Sequence, residues 1–238
     1  MSGKTDSAAY LTPMKDLHAK TIRAGVRGFV VLAGVIFLAA GTLHYWQGWS
    51  FLATFTVCST ALTVYMALYD EKLLERRLRA GPRAEAERSQ KIIMFLMLLG
   101  FAALLTLPVI DHRFGWSPVP PYVSIIGDAL IALGYLFIFF VLRENSYAAS
   151  TIQIADDQRV ISTGPYALVR HPMYAAALLL VIGMPLALGS WYGLFGILIL
   201  LPVLTWRLLD EERFLARNLK GYAEYTSNVR WRLIPGLF

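Results

Sequence analysis

Residues 92–110, IIMFLMLLGFAALLTLPVI, form an apolar run that contains no charged side chain. A helix needs about 20 mostly apolar residues to cross the hydrocarbon core of a bilayer, so this run alone predicts a transmembrane helix. The whole chain agrees, because 57% of its 238 residues are hydrophobic and only 16% are charged. Soluble domains carry about 25% charged residues. We therefore predict an all-α, polytopic membrane helical bundle.

Further apolar runs on both sides of this one set the expected number of spans. The last run, 172–209, is too long for a single span. Gly189 and Ser190, with Pro185 nearby, would let it fold back as a helical hairpin, which predicts six transmembrane helices. A single long, tilted helix would instead give five. The other predicted spans are 26–46, 49–69, 92–110 and 122–142.

These runs divide the chain into three parts with different expected roles. Residues 1–25 are polar and are expected to form a cytosolic N-terminal segment. Residues 26–142 would form a four-span N-terminal bundle. Residues 143–238 would form the catalytic region, which contains the helical hairpin, a ligand pocket and a cytosolic C-terminal helical segment.

Positive charge is confined to one side of the predicted bundle. With six spans, 21 of the 22 Lys and Arg residues fall on the side of both termini, and Arg113 alone falls on the other. The positive-inside rule then places both termini and residues 143–171 in the cytoplasm. Four tryptophans near the opposite span ends are expected to form an aromatic belt there: Trp46, Trp49, Trp116 and Trp191.

The basic residues flank the spans, so the net charge of +6 does not indicate nucleic-acid binding. Residues 70–91 could form surface helices, in which three arginines would lie against anionic lipid headgroups, with a substrate role as the less favoured alternative: Arg76, Arg77 and Arg79. Several catalytic motifs are also missing from the chain. It contains no G-x-G, no Walker A motif, no C-x-x-C and no H-E-x-x-H. The four histidines are too scattered to suggest a metal site.

A polar cluster stands just before the last apolar run, in GPYALVRHPMY at residues 164–174. Pro172 suits the first turn of a helix, where its missing N–H costs nothing, so the fifth span is expected to begin there. Arg170 and His171 would then lie at a helix N-terminus, which favours a bound carboxylate or phosphate. Tyr174 would lie one turn further along. Interface anchoring is the alternative explanation for each residue.

Acidic residues follow in the next predicted helix. Glu211 lies on a stripe of leucines at helical spacing, and a carboxylate on a packed face needs a partner or a ligand. Glu212 points to a neighbouring face. Asp210 is expected to be solvated or paired with Arg207 and Arg213. Together with the first cluster, these residues could line a cytosol-facing pocket for a zwitterionic ligand that carries a flat ring.

Four blocks now resemble a known group of enzymes: GPYALVRHPMY, EER at 211–213, GYAEY at 221–225 and VRWRLIP at 229–235. They look like the C-terminal region of isoprenylcysteine carboxyl methyltransferases and of phospholipid N-methyltransferases. These are integral membrane enzymes that use S-adenosylmethionine. Their pattern is R-H-P-x-Y followed later by a Glu-Glu pair. One departure is Ala176, where the family often has glycine.

The resemblance implies a role for each residue of the pattern. Arg170, with the helix start at Pro172, would hold the carboxylate of S-adenosylmethionine. Glu211 or Glu212 would hold its ammonium group, and the other glutamate its ribose. Arg230 would help to close the pocket. The residues expected to bind the cofactor are Tyr166, Arg170, His171, Pro172, Tyr174, Glu211, Glu212, Tyr222 and Tyr225. The residues expected to act in catalysis or to contact the acceptor are Arg170, Arg207 and Asn145.

The expected acceptor is hydrophobic or lipid-like, and an isoprenylcysteine, a phospholipid amine and a small thiol remain open. Membrane lipids are the other expected partners. Sterol reductases, which bind a nicotinamide cofactor, share R-H-P-x-Y, but the acidic pair and the short chain favour a methyltransferase. A non-catalytic membrane scaffold with a vestigial pocket is the third possibility. Asp128 is expected to make a hydrogen-bonded helix contact near the outer interface.

Overall fold

The computed structural model describes residues 6–78, 88–148 and 158–238, with residues 6–15 described by their backbone alone. Within these ranges the chain forms helices and no strand, which confirms the predicted all-α class. Short 3-10 turns at Gly164–Ala167 and Tyr192–Leu194 precede the sixth and seventh helices. The helices are α1 (Asp6–Ala40), α2 (Trp46–Tyr69), α3 (Glu71–Leu78), α4 (Arg88–Phe114), α5 (Pro121–Glu144), α6 (Pro172–Ala187), α7 (Phe195–Asn218) and α8 (Tyr222–Asn228).

Five helical segments are long and apolar enough to cross a membrane: Asp16–Ala40, Trp46–Tyr69, Arg88–Phe114, Pro121–Glu144 and Tyr192–Asn218. The protein is therefore a polytopic membrane bundle. The sixth apolar helix, α6, has 16 residues. At 1.5 Å per residue it is about 24 Å long, which is shorter than the roughly 30 Å hydrocarbon core.

Residues 172–209 form two helices, as the predicted hairpin requires, and not one long helix, but five helices rather than the predicted six have the length of a membrane span. Helix α6 ends at Ala187, and Gly189 adopts a φ of +70° that a residue with a side chain rarely takes. The Ser190 Oγ then accepts a hydrogen bond from the Gly193 backbone N–H at 2.8 Å, which starts the turn into α7. Glycine freedom and a serine acceptor therefore reverse the chain within a few residues.

The three predicted regions do not correspond to separate packing units. Helix α1 is continuous across residue 26, the predicted end of the N-terminal segment. Helix α5 packs along α6, and α4 packs along α7, so residues 26–142 and 143–238 share one core. Residues 1–5 of the predicted N-terminal segment lie outside the described ranges.

The two ends of the bundle carry different side chains. At one end the loop between α4 and α5 contacts the loop between α6 and α7, because the Trp191 backbone N–H donates to Ser117 Oγ at 3.2 Å. The tryptophans of the predicted belt are all exposed at this end, which we call the tryptophan end: Trp46, Trp49, Trp116 and Trp191. Arg113 is the one Lys or Arg side chain there among the described residues. We call the opposite end, where α3, α8 and the first turn of α6 lie, the basic end.

Close packing of α5 against α6 depends on glycine. A Cβ added at Gly127 would lie 2.1 Å from the backbone nitrogen of Ala187, and one at Gly134 would lie 3.2 Å from the carbonyl oxygen of Ala176. The fully buried Ala176 side chain belongs to an apolar cluster with Ile138 and Leu142 of α5. Ala176, where the resembled family often has glycine, therefore lies in the contact between α5 and α6.

Asp128 lies near the tryptophan end, as predicted, and joins two helices. The Ser50 Oγ of α2 donates to Asp128 Oδ2 at 2.5 Å. The predicted hydrogen-bonded helix contact is thus present. It is at the opposite end of α5 from Asn145 and therefore far from the residues predicted to carry chemistry.

Candidate functional site

A cavity of about 290 Å³ opens at the basic end. Its wall is formed by α3, the end of α5, the segment that leads into α6, the end of α7 and α8. The predicted site residues that line it are Asn145, Tyr166, Arg170, His171, Pro172, Tyr174, Arg207, Glu211, Tyr222 and Tyr225. Glu212 and Arg230 are not part of the wall. The structure therefore brings together most of the residues that the sequence separates.

The start of α6 is held by the C-terminal segment. Pro172 is the first residue of α6, as predicted, and His171 precedes it. The backbone N–H of Arg170 donates to the Trp231 carbonyl at 2.9 Å, and that of His171 donates to the Arg232 carbonyl at 2.9 Å. These two N–H groups are therefore occupied by the protein and do not contribute to an anion site.

Glu212 occupies the centre of an ion-pair cluster beside the cavity. Its Oε1 accepts a hydrogen bond from Arg170 Nη1 at 2.9 Å and lies 3.3 Å from His171 Nε2. Its Oε2 accepts from Arg232 Nε at 2.9 Å. We call these four residues the Glu212 cluster. Because both carboxylate oxygens already have cationic partners, Glu212 has a structural position that differs from the predicted contact with a cofactor.

Arg170 belongs mainly to the same cluster. Its Nε donates to the Val229 carbonyl and its Nη2 to the Arg230 carbonyl, each at 2.8 Å. Three of the five N–H groups of a guanidinium are thus used within the protein. Arg230 contributes this carbonyl, and its side chain is exposed and outside the cavity wall. The geometry favours Arg170 as the residue that fixes segment 229–232 against α6.

Glu211 is the member of the acidic pair that faces the cavity. Its Oε2 accepts a hydrogen bond from the Tyr174 hydroxyl at 2.5 Å. Arg207, one helical turn earlier on α7, also lines the cavity and is 6% exposed. The cavity therefore presents a carboxylate, a phenol and a guanidinium on one part of its wall.

Arg207 is connected to α4 by residues that sequence reasoning missed. Its Nη1 donates to Gln90 Oε1 at 2.9 Å. The Gln90 amide in turn donates to Asp210, which also accepts from Ser89 Oγ. Asp210 is therefore bound by neutral side chains of α4, which differs from the predicted solvation or pairing with Arg207 and Arg213. No local pattern around Gln90 indicates this contact.

Two tyrosines of α8 form the next part of the wall and differ in their hydrogen bonds. The Tyr225 hydroxyl donates to the Tyr166 carbonyl at 2.8 Å. The Tyr222 hydroxyl is buried and has no hydrogen-bond partner among the described residues. A buried hydroxyl without a hydrogen-bond partner costs free energy.

The phenols of this wall are neutral at physiological pH. Burial raises the pKa of Tyr225 to about 12, and the Arg170 guanidinium opposes part of that change. Burial also raises the pKa of Tyr166 and of Tyr222 above their ordinary value. Neutral phenols can donate as well as accept hydrogen bonds.

Asn145 is held rigidly at the end of α5. Its Nδ2 donates to the Tyr166 hydroxyl at 2.8 Å, and its Oδ1 accepts from the Tyr147 backbone N–H at 2.9 Å. Both ends of the amide are therefore oriented by the protein. Asn145 fixes the ring of Tyr166 in the wall, in addition to any contact with a bound molecule.

Helix α3 contributes an arginine that the sequence reasoning assigned elsewhere. Arg77 lines the cavity, which differs from the favoured expectation of lipid headgroups and is compatible with the alternative of a substrate role. Arg76 lies outside the wall and donates to the Ser146 carbonyl at 2.8 Å. Arg79, the third arginine of that prediction, lies outside the described residues. The helical spacing of consecutive arginines signals that they point in different directions, but it does not identify the one that lines the cavity.

The comparisons with known proteins agree with the resemblance in the sequence. Residues 122–221 match the phospholipid methyltransferase family, from the start of α5 to the residue before α8. Curated proteins give no significant match to the chain. The matched region supplies most of the cavity wall.

Proposed function

We propose, from the match to phospholipid methyltransferases, that this protein transfers a methyl group from S-adenosylmethionine to a hydrophobic or lipid-like acceptor. The family match supports the reaction class, and the cavity supports a binding site at the basic end. The observation that carries the proposal is that the carboxylate-bearing Glu211 lines the same cavity as four tyrosines, Tyr166, Tyr174, Tyr222 and Tyr225. An anionic oxygen and a neutral hydroxyl suit a ligand that carries an ammonium group and a ribose.

The donor set of the cavity fits S-adenosylmethionine. Glu211 would bind the α-ammonium group, and Tyr222 would bond a ribose hydroxyl or the adenine edge. The aromatic rings of Tyr166, Tyr174 and Tyr225 provide faces for the adenine and for the sulfonium, which is attracted to a π face. Arg170 and His171 also line the cavity, and they would orient its wall, because the Glu212 cluster holds them.

S-adenosylmethionine would supply an electrophilic methyl group. Methyl transfer demands alignment of the acceptor and exclusion of water, so holding both reactants in one orientation supplies most of the rate. The hydrogen bonds of Asn145 and Tyr225 to Tyr166 keep that part of the wall rigid. A carboxylate or thiolate acceptor would need no proton removal at neutral pH, whereas an ammonium acceptor would first have to lose a proton.

The basic end is proposed to face the cytoplasm. The segregation of Lys and Arg residues supports this orientation, since the positive-inside rule assigns the basic loops to that side. Both termini and the cavity would then be cytoplasmic. The donor would enter from the cytosol, and a lipid-like acceptor would enter sideways from the bilayer.

The purified protein should bind radiolabelled S-adenosylmethionine and transfer its methyl group to one class of hydrophobic acceptor. We expect Glu211→Gln to weaken binding roughly 10-fold or more, because the charge-assisted hydrogen bond is lost. Glu224→Gln is the matched control, since Glu224 is exposed on α8 and is not part of the cavity wall.

Three results would contradict the proposal. Equal binding by wild type and Glu211→Gln would remove the assigned role of Glu211. Binding of NADPH in place of S-adenosylmethionine would favour the reductase alternative. Binding without methyl transfer to an isoprenylcysteine, a phospholipid amine or a small thiol would favour the scaffold.

A further inference from the structure

Part of the cavity wall is formed by helix α3, which lies before the matched residues 122–221. Arg77 of α3 lines the cavity together with Asn145, Tyr147 and Ala148 at the end of α5. Its side chain reaches inward from the basic surface. Among the residues that the structure describes, Arg77 is the one cationic side chain that the N-terminal half of the chain places in the cavity wall.

Two further arginines of the wall, Arg170 and Arg207, are bonded within the protein. Arg170 donates to Glu212 and to two backbone carbonyls. Arg207 donates to Gln90. Their guanidinium groups are therefore oriented by side chains and backbone before any ligand binds.

The surroundings of Arg77 are different. Of its five N–H groups, the described residues accept one hydrogen bond, from Nη1 to the Ala148 carbonyl at 3.2 Å. Burial lowers the pKa of the Arg77 guanidinium, and the phenols of Tyr135 and Tyr166 oppose that change. A partly buried cation beside neutral groups has lost hydration, and the described residues give it no anionic partner. An anion bound in the cavity would offset this cost of desolvation.

We propose that Arg77 is an anion-binding residue of this cavity and that it holds a carboxylate or phosphate group of a bound reactant. This inference rests on the proposed function. The anionic group has two possible sources, the α-carboxylate of the methyl donor and an acidic group on the acceptor. Both present oxygen atoms that a guanidinium binds through two parallel hydrogen bonds.

Arg76 supplies a matched control. It is adjacent to Arg77 on the same helix and also donates to a backbone carbonyl after α5, that of Ser146 at 2.8 Å. Its guanidinium lies 5.5 Å from the centre of the Tyr147 ring. Because Arg76 is not part of the cavity wall, Arg76→Gln removes the same charge from the same helix without affecting the proposed contact.

The first arm measures binding of S-adenosylmethionine and of its decarboxylated analogue to wild type, Arg77→Gln and Arg76→Gln. If the donor carboxylate is the ligand, Arg77→Gln weakens binding of S-adenosylmethionine by roughly 10- to 100-fold. Binding of the decarboxylated analogue then stays the same in all three proteins. Arg77→Lys should recover part of the lost affinity, because it keeps the charge and loses the paired donors.

The second arm uses an isoprenylcysteine carboxylate and vesicles that contain phosphatidylethanolamine as acceptor probes. If the acceptor carries the anion, Arg77→Gln raises the KM of the reactive probe by a similar factor. The affinity for S-adenosylmethionine and kcat then remain those of wild type. Equal behaviour of Arg77→Gln and Arg76→Gln in both arms would overturn the proposal.

The failure of this inference can be separated from a failure of the proposed function. If wild type does not bind S-adenosylmethionine, the proposed function fails, and inorganic phosphate then serves as the probe. A rise in thermal stability with phosphate in wild type and Arg76→Gln, and its absence in Arg77→Gln, would support an anion site at Arg77. The same phosphate response in all three proteins would overturn it.

Discussion

Helix α6 meets its neighbours through different kinds of contact at its two ends. At the tryptophan end, α1, α2, α4, α6 and α7 share an apolar core whose centre includes Ile36, Phe51 and Leu104, all fully buried. At the basic end, α6 meets α7 through polar pairs, Tyr174 with Glu211 and Arg170 with Glu212. Apolar side chains interdigitate and fill space, whereas directional bonds between long polar side chains leave room between helices. The cavity lies at the end with the polar contacts.

This difference predicts how each end responds to substitution. Changes in the apolar core should alter stability and leave ligand binding intact. At the basic end, a substitution should lower stability if the side chain is hydrogen-bonded within the protein. It should weaken ligand binding if the side chain has no such partner. The variants below test that separation, from the largest expected effect to the smallest.

Glu212→Ala should have the largest effect on stability. The substitution leaves Arg170, His171 and Arg232 without their shared carboxylate, and removing one partner of a buried ion pair costs about 3 kcal/mol or more. Chemical denaturation in detergent measures the free energy of unfolding. The control Glu224→Ala changes an exposed carboxylate and should stay within about 0.5 kcal/mol of wild type. A loss of similar size in both variants would show that the Glu212 cluster has no special role.

Gly127→Ala should destabilise the tryptophan end without changing donor binding. The new Cβ would lie 2.1 Å from the Ala187 backbone nitrogen, so α5 and α6 must move apart. Overpacking of this kind costs about 2 kcal/mol. Gly25→Ala on α1 is the control, because no atom lies within 4 Å of the added Cβ, and it should stabilise the helix by up to about 1 kcal/mol. Thermal unfolding, together with the Kd of S-adenosylmethionine, checks both variants.

Tyr225→Phe and Tyr222→Phe should separate stability from binding within one helix. Tyr225→Phe loses the hydrogen bond to the Tyr166 carbonyl and should cost about 1 kcal/mol of stability. Tyr222→Phe removes a hydroxyl without a described partner, so stability should be unchanged or slightly higher. Binding of S-adenosylmethionine should weaken more in Tyr222→Phe. Greater loss of stability in Tyr222→Phe than in Tyr225→Phe would contradict the assignment of its hydroxyl to a ligand.

The smallest expected effect is a dependence on alkaline pH. The pKa of Tyr225 is raised from 10.0 to about 12, so the folded state keeps a proton that the unfolded state loses above pH 10. The contribution of this phenol to stability is complete below pH 10 and falls as the pH rises toward 12. The difference in unfolding free energy between wild type and Tyr225→Phe should therefore shrink between pH 10 and 11. A constant difference over that interval would show that the phenol titrates normally.

Sequence reasoning succeeded where the signal is local. The apolar runs predicted the long helices, Pro172 predicted the start of α6, and Gly189 with Ser190 predicted the hairpin. Sequence reasoning left the surroundings of Glu212 and Arg77 open. In the structure, Glu212 pairs with Arg170 and Arg232, and Arg77 points into the cavity. Both positions depend on segments that lie far apart in the chain.

The sequence by itself determined that this protein crosses a membrane several times, with its basic residues gathered at one end. Hydropathy and helix capping act over a few neighbouring residues, so they can be read without the fold. Only the tertiary structure decided which member of the acidic pair, Glu211, faces the cavity. It also decided that backbone carbonyls of segment 229–232 accept hydrogen bonds from Arg170. These outcomes arise because each polar group in a packed interior bonds with whichever group the fold brings near, and sequence spacing does not specify that partner.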